Sequence, residues 1–167
     1  MMSTHQLIED LTRADDHDLR RRRDVIALSL AGMAAMTPVV LLQTGVVKHL
    51  PDPPVGNFHS DKVNLSEEAY KFGVPDGTLA MLSLAGNLVL AAFGDKDRSR
   101  EKPWVPIAAA VKAAIDAAMA GWYFYQMPAK EKAWCPYCIA GALANFGIFL
   151  KTIPEALHAL NGDAKQG

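Results

Sequence analysis

Cys135 and Cys138 are the only two cysteines in the chain, set in Trp134-Cys135-Pro136-Tyr137-Cys138, where a polar stretch runs into an apolar one. Two thiols three residues apart at a helix start lie on neighbouring turns and can close a short disulfide. The helix dipole and the free N–H groups of the first turn favour a thiolate on the first of them. That is the chemistry of a dithiol redox centre. The alternative is a structural disulfide that pins the head of the following helix. Lys130 and Lys132, just upstream, are candidate cations beside a Cys135 thiolate. The five histidines (His5, His17, His49, His59, His158) are scattered and show no metal-ligand spacing, so no metal site is expected. His59 is a candidate base for Cys135 if its segment folds over the pair. There is no phosphate loop and no GxSxG motif.

The elements that must position this pair are apolar. A length of 167 residues allows one domain, and a net charge of −1 gives no footing for nucleic acid. Mean hydropathy is only +0.06, but the average hides segregation. Residues 1–24 are highly charged, while later runs reach roughly 20 apolar residues, the length of a bilayer-spanning helix. The expected spans are 25–47, 75–93, 104–127 and 135–153. The first 23 residues hold no apolar signal-peptide core, so span one is expected to be retained. Pro38 is expected to kink it without breaking it, and Gly73, Gly77 and Gly86 to allow close helix contacts at span two. The expected fold is all-α: an integral membrane four-helix bundle at 25–153, with charged cytoplasmic tails at 1–24 and 154–167. Residues 3–19 are a candidate cytoplasmic helix, and 161–167 a frayed end.

Basic residues orient the spans. Arg20-Arg21-Arg22-Arg23 precedes span one, Lys96, Arg98, Arg100 and Lys102 separate spans two and three, and Lys151 and Lys165 lie at or beyond the end of span four. The positive-inside rule puts both termini and the middle loop in the cytoplasm, in a bacterial inner membrane. Cys135 and Cys138 then face the periplasmic or otherwise extracytoplasmic side, where disulfides persist. Lys112 and Asp116 fall near mid-membrane at i and i+4 and are expected to pair. A proton path is the functional alternative for them.

The connection after span one, about 48–74, is long for a small bundle. Pro51, Pro53, Pro54 and Gly56 exclude regular structure from its first half. Residues 66–72 predict a short helix, with Asn64 or Ser66 as N-cap and Gly73 as terminator. Phe58, Val63, Leu65, Tyr70 and Phe72 would fold it down as a periplasmic lid. Phe58, Trp134 and Tyr137 are candidate aromatic walls for a ring ligand.

Two segments carry a resemblance. Cys135-Pro136-Tyr137-Cys138-Ile139-Ala140 is similar to the active-site pair of the vitamin K epoxide reductase family. Ser60-Asp61-Lys62-Val63-Asn64-Leu65-Ser66, followed by Tyr70 and Phe72-Gly73-Val74-Pro75, is similar to that family's lid. The resemblance covers about 25–153. It implies a membrane enzyme that takes electrons from a dithiol, such as a periplasmic thioredoxin-like protein, and passes them to a bound quinone, ubiquinone or menaquinone. It implies that Cys138 faces the quinone and that Cys135 exchanges with a shuttle disulfide in the lid.

The chain departs from the family at the shuttle. The two shuttle cysteines would fall at Asp52 and Ser60, and a hydroxyl cannot carry out disulfide exchange. Ala142 stands where vertebrate members carry a quinone-contacting tyrosine. Two functions therefore stay open. One is a thiol–disulfide oxidoreductase whose partner attacks Cys135 directly. The other is a non-catalytic accessory subunit of a larger membrane complex, docked through the N-terminal tail and the charged lid.

Overall fold

The computed structural model describes residues 4–163. Helix α1 (Thr4–Arg13) is followed by Asp16, whose carboxylate accepts the Asp18 N–H and caps α2 (His17–Gln43). The helix of span one thus starts inside the charged leader, well before Val25. Arg23 ties α1 to it through the Leu11 and Ala14 carbonyls, at 3.0 and 2.9 Å. Pro38 sits inside α2, which continues through it to Gln43.

The chain then forms α3 (Ser60–Asn64), a 3₁₀ turn (Glu67–Tyr70), α4 (Asp76–Ala92) and α5 (Arg98–Glu101). After these come α6 (Trp104–Gln126), a π turn (Met127–Glu131) and α7 (Pro136–Asp163). Among the described residues the β pairing is a single parallel bridge, Phe58 to Trp134. The first half of the 48–75 connection is irregular, as its prolines dictate. Its second half is not the one helix expected at 66–72. It divides into α3 and the 3₁₀ turn, because Asn64 bonds back to the Ser60 carbonyl at 2.8 Å and α3 stops there. Gly73, at φ +75°, ends the segment as expected.

α2, α6 and α7 are long and apolar enough to cross a membrane, while α4 is apolar but has 17 residues. At 1.5 Å per residue α4 reaches about 26 Å, short of a hydrocarbon layer of about 30 Å. Its terminal N–H and C=O groups would then be orphaned in an apolar layer. Side chains from other helices meet both ends. Gln43 Oε1 accepts the Gly77 N–H at 3.1 Å, a cap that Pro75 cannot supply. At the other end Arg22 donates to the Ala91, Asp95 and Gly94 carbonyls at 2.7–2.8 Å. Arg98 donates to Leu90 and Phe93 at 2.5 and 2.7 Å, and both carboxylate oxygens of Glu155 receive it at 2.6 Å. Arg22, an orientation signal in the sequence, is therefore also a buried structural residue.

α7 packs along α2 and α6, and α2 along α4. Val25, Met36, Val39, Leu84, Ala113 and Ile148 form the shared core. Small residues set the spacing: a Cβ on Gly141 would strike Met36 Sδ at 2.9 Å, and one on Gly147 would strike Leu28 at 3.0 Å. Gly77 and Gly86 are close contacts as expected, against Gln43 and Lys112, whereas Gly73 has open space and serves the turn. Outward faces stay apolar, with Leu82 and Val89 on α4, Val111, Ile115 and Trp122 on α6, and Leu143 and Leu150 on α7 exposed.

α7 runs without a break from Ile153 through Pro154, so no helix end marks the boundary expected at 153/154. Glu155, Ala156 and Ala159 in that extension are buried. The frayed end expected at 161–167 lies partly beyond the described residues, as does Lys165; residues 161–163 are still helical.

Candidate functional site

Cys135 is the N-cap of α7. Its carbonyl accepts the Ile139 N–H at 3.0 Å, opening the helical ladder, and Pro136 takes the first helical position, where a missing N–H is harmless. Its sulfur receives the Cys138 N–H at 3.2 Å, as a serine or aspartate oxygen does at other helix heads. Cys135 and Cys138 are joined as a disulfide, with Cα atoms 5.3 Å apart.

Asn64, only 2 % exposed, touches both sulfurs. Its Nδ2 donates to Cys135 Sγ at 3.2 Å, and its Oδ1 lies 3.2 Å from Cys138 Sγ. The Nδ2 bond to the Ser60 carbonyl fixes which way the amide faces. Gln43 holds this residue in turn: its Nε2 donates to the Asn64 carbonyl at 3.0 Å and to Asp76 at 2.6 Å, while Tyr70 donates to the Gln43 carbonyl at 3.0 Å. A polar hub at the end of α2 therefore aligns α3, the 3₁₀ turn and the head of α4 over the dithiol.

A second set of bonds covers Cys135. Trp134 N–H donates to the Asn57 carbonyl at 2.9 Å, and His59 N–H to the Trp134 carbonyl at 3.0 Å. Asn57 also bonds the carbonyl of Lys132, whose φ of 51° turns the chain out of the π turn. Asp52 and Ser60, the positions without the shuttle cysteines, face each other. Ser60 Oγ donates to Asp52 Oδ1 at 2.5 Å, and Ser60 N–H to Asp52 Oδ2 at 2.8 Å. An oxygen clasp thus joins the two positions. Cys135 is 0 % exposed beneath this cover, so attack on it from solvent requires the cover to lift. Cys138 is half-buried.

Ionic contacts fasten the rim. Asp61 accepts from His49 Nδ1 at 2.8 Å and from the Leu50 N–H at 2.9 Å. Burial works to raise its pKa, but those two bonds outweigh it and the carboxyl lies below its ordinary value. Glu68 binds Lys130 and Lys71 at 2.8 and 2.9 Å, and their hydrogen bonds lower its pKa. Lys130 is thus engaged with Glu68 at the rim. His59 is exposed, and the side chain that touches the sulfurs is Asn64.

Cys138 lines a cavity of about 160 Å³, with Met36, Val63, Tyr123, Phe124, Met127 and Ala142 among its apolar walls. Its polar lining includes Asp116, Ser83 and Asn145. Asn145 Nδ2 bonds the Gly141 carbonyl at 3.1 Å, which leaves the shielded Oδ1 with no hydrogen-bond partner. Phe58, Trp134 and Tyr137, the candidate ring walls, are not among the residues that line this cavity. Phe58 and Trp134 form the backbone bridge, Trp134 packs on Phe124 at 5.4 Å between ring centroids, and the Tyr137 hydroxyl donates to the Pro51 carbonyl at 2.8 Å. The aromatic lining comes from Tyr123 and Phe124.

At the cavity wall the expected Lys112–Asp116 pair forms, with Nζ 2.6 Å from Oδ2. Lys112 also reaches the Ser83 carbonyl and Oγ at 2.8 Å and Asn87 Oδ1 at 3.1 Å, passing over Gly86. Ser83 and Asn87 donate to the two oxygens of Asp116 at 2.7 and 2.8 Å. A lone charge at the centre of a membrane-crossing helix costs about 3 kcal/mol on insertion scales, and a closed set of this kind offsets such a cost. Among the described residues no cluster of histidine, cysteine and acidic groups could hold a metal ion.

No curated protein and no solved structure matches the chain. The Vitamin K epoxide reductase family model matches residues 25–153, most of the chain and every element that builds the dithiol end. The chain belongs to the vitamin K epoxide reductase family, a family of membrane thiol–disulfide oxidoreductases.

Proposed function

We propose that this protein is a quinone-linked thiol–disulfide oxidoreductase, built as four bilayer-spanning helices with residues 48–74 as a lid and the dithiol on the periplasmic side. The observation that carries this reading is the cavity beside Cys138, with apolar walls and a few polar atoms. Cys138 presents a sulfur to it, Tyr123 and Phe124 offer faces to a ring, and Asn145 Oδ1 and the Ser83–Asp116 pair offer polar contacts at its depth. These residues fit a quinone. When bound, it supplies a sink for two electrons and two protons. The chain's own part is to hold the two sulfurs at the cavity wall, to exclude bulk water there, and to hold the Asp116 carboxyl in place through Lys112. A dithiol donor reduces the Cys135–Cys138 bond, and the two protein thiols return to the disulfide as their electrons leave.

The test is direct. The purified chain in nanodiscs, supplied with dithiothreitol and a short-chain ubiquinone, should accelerate loss of quinone absorbance, and Cys138→Ala should abolish the gain. A rate equal to the protein-free control with both ubiquinone and menaquinone analogues would overturn the reading.

The accessory-subunit reading has one observation in its favour: Cys135 is fully buried beneath a clasp that contains no sulfur. Stoichiometric co-purification with other membrane subunits, and no thiol oxidation by the isolated chain, would establish it.

A further inference from the structure

We propose that electrons enter this protein at Cys138, through the cavity, and that Asn64 makes Cys135 the leaving group. The donor is a low-molecular-weight thiol and not a folded protein docked on the lid. The proposal rests on the thiol–disulfide reading but needs no quinone.

Access and leaving-group stability point the same way. Cys135 is 0 % exposed, whereas Cys138 is half-buried and lines the cavity. A thiolate must approach one sulfur and expel the other, and the better leaving group is the thiol more stable as an anion. Cys135 Sγ faces two N–H donors at 3.2 Å, from Asn64 and from Cys138. Cys138 Sγ faces an acceptor, Asn64 Oδ1, at 3.2 Å. Donors stabilise a thiolate, while an amide oxygen favours a protonated thiol. The Asn64–Ser60 bond prevents the amide from turning over and exchanging these roles. One buried asparagine therefore sets the polarity of the bond: Cys138 receives and Cys135 departs. Asn64 touches both reacting sulfurs and is a catalytic residue in this scheme.

The steps balance. A donor thiolate attacks Cys138 Sγ, the Cys135–Cys138 bond breaks, and its electron pair stays on Cys135 as the thiolate. A second donor thiolate attacks the donor sulfur of the mixed disulfide, releasing the donor disulfide and a Cys138 thiolate. Cys138 then takes up one of the two protons released by the donor thiols, and its S–H hydrogen-bonds to Asn64 Oδ1. Two donor thiols are oxidised and the protein pair is reduced by two electrons.

The native chain in detergent is mixed with 2-mercaptoethanol, without quinone, then acid-quenched, alkylated with N-ethylmaleimide and digested for mass spectrometry. The expected species carries mercaptoethanol on Cys138 and the alkyl group on Cys135. Mercaptoethanol on Cys135, or no adduct on either cysteine, would overturn the proposal. Because quinone is absent, a failure of quinone reduction elsewhere leaves this result standing. The role of Asn64 is read separately. In the Cys138→Ala protein, the ultraviolet absorbance of the Cys135 thiolate is titrated with and without Asn64→Leu. Loss of the amide should raise the midpoint by at least one pH unit, a tenfold change in ionisation, which a merely structural role would not produce. An unmoved midpoint would remove Asn64 from the scheme.

Discussion

The two ends of α4 solve one problem with different chemistry. At the Arg22 end, helix-end carbonyls are met by two buried guanidinium groups, one of them paired with Glu155. At the dithiol end, a neutral glutamine meets a single N–H, a loop carbonyl and the Asp76 carboxylate, and a neutral asparagine meets two sulfurs, with no buried ion pair among them. Charge-assisted bonds are roughly twice as strong as neutral ones, and a broken buried ion pair leaves a charge with no solvent. One end is thereby fixed and the other is held by bonds that can exchange. Thiol chemistry needs a sulfur to move between partners, and it sits at the end with the weaker hold.

Arg98→Ala should test this most severely. It strands the Glu155 carboxylate and the Leu90 and Phe93 carbonyls, at a cost of about 3–5 kcal/mol. Reducing Cys135–Cys138, a loop of four residues, should cost only about 2 kcal/mol. Thermal unfolding by circular dichroism in detergent should rank them in that order, and the reverse order would break the comparison. Lys112→Leu falls between these two, a loss of about 3 kcal/mol from the unpaired Asp116, much of it recovered in Lys112→Leu/Asp116→Leu. Ser60→Ala should cost about 1 kcal/mol of lid stability, seen as faster hydrogen exchange over residues 57–64 with the core unchanged.

The smallest effect is acid loosening of the lid. Glu68 has its pKa lowered by Lys130 and Lys71, so its contribution is fully present above the ordinary glutamate pKa. It is lost as the pH falls through the lowered value. Hydrogen exchange at residues 66–72 should therefore rise only below the usual carboxylate range, and Glu68→Gln should remove that dependence.

Much of the fold was legible because its signals are local and long. Apolar runs marked α2, α4, α6 and α7, and the i, i+4 spacing of Lys112 and Asp116 foretold their bond. Cys135 at the head of α7 followed from the change there from a polar stretch to an apolar one. What escaped depends on partners distant in sequence. Nothing in Asn64 itself says that it will meet sulfurs at positions 135 and 138, and nothing in Gln43 says that it will cap α4. Arg22 read as one of four identical charges, although only its register turns it onto the α4 carbonyls. Phe58, Trp134 and Tyr137 read as a ring site, but their backbone and hydroxyl bonds give them places in the cover over Cys135.

The Asp52–Ser60 contact gives the lid a property that a sulfur link there would not have. A disulfide clasp opens or closes with the reducing power of its surroundings, so that the cover reports on the same currency the active pair trades in. A carboxylate holding a hydroxyl carries no electrons. It is the same contact in a reducing compartment and in an oxidising one, and yields only to a competing hydrogen-bond partner. The Asp52–Ser60 contact is thus blind to redox state, and the two sulfurs beneath it belong to the chain's only cysteines.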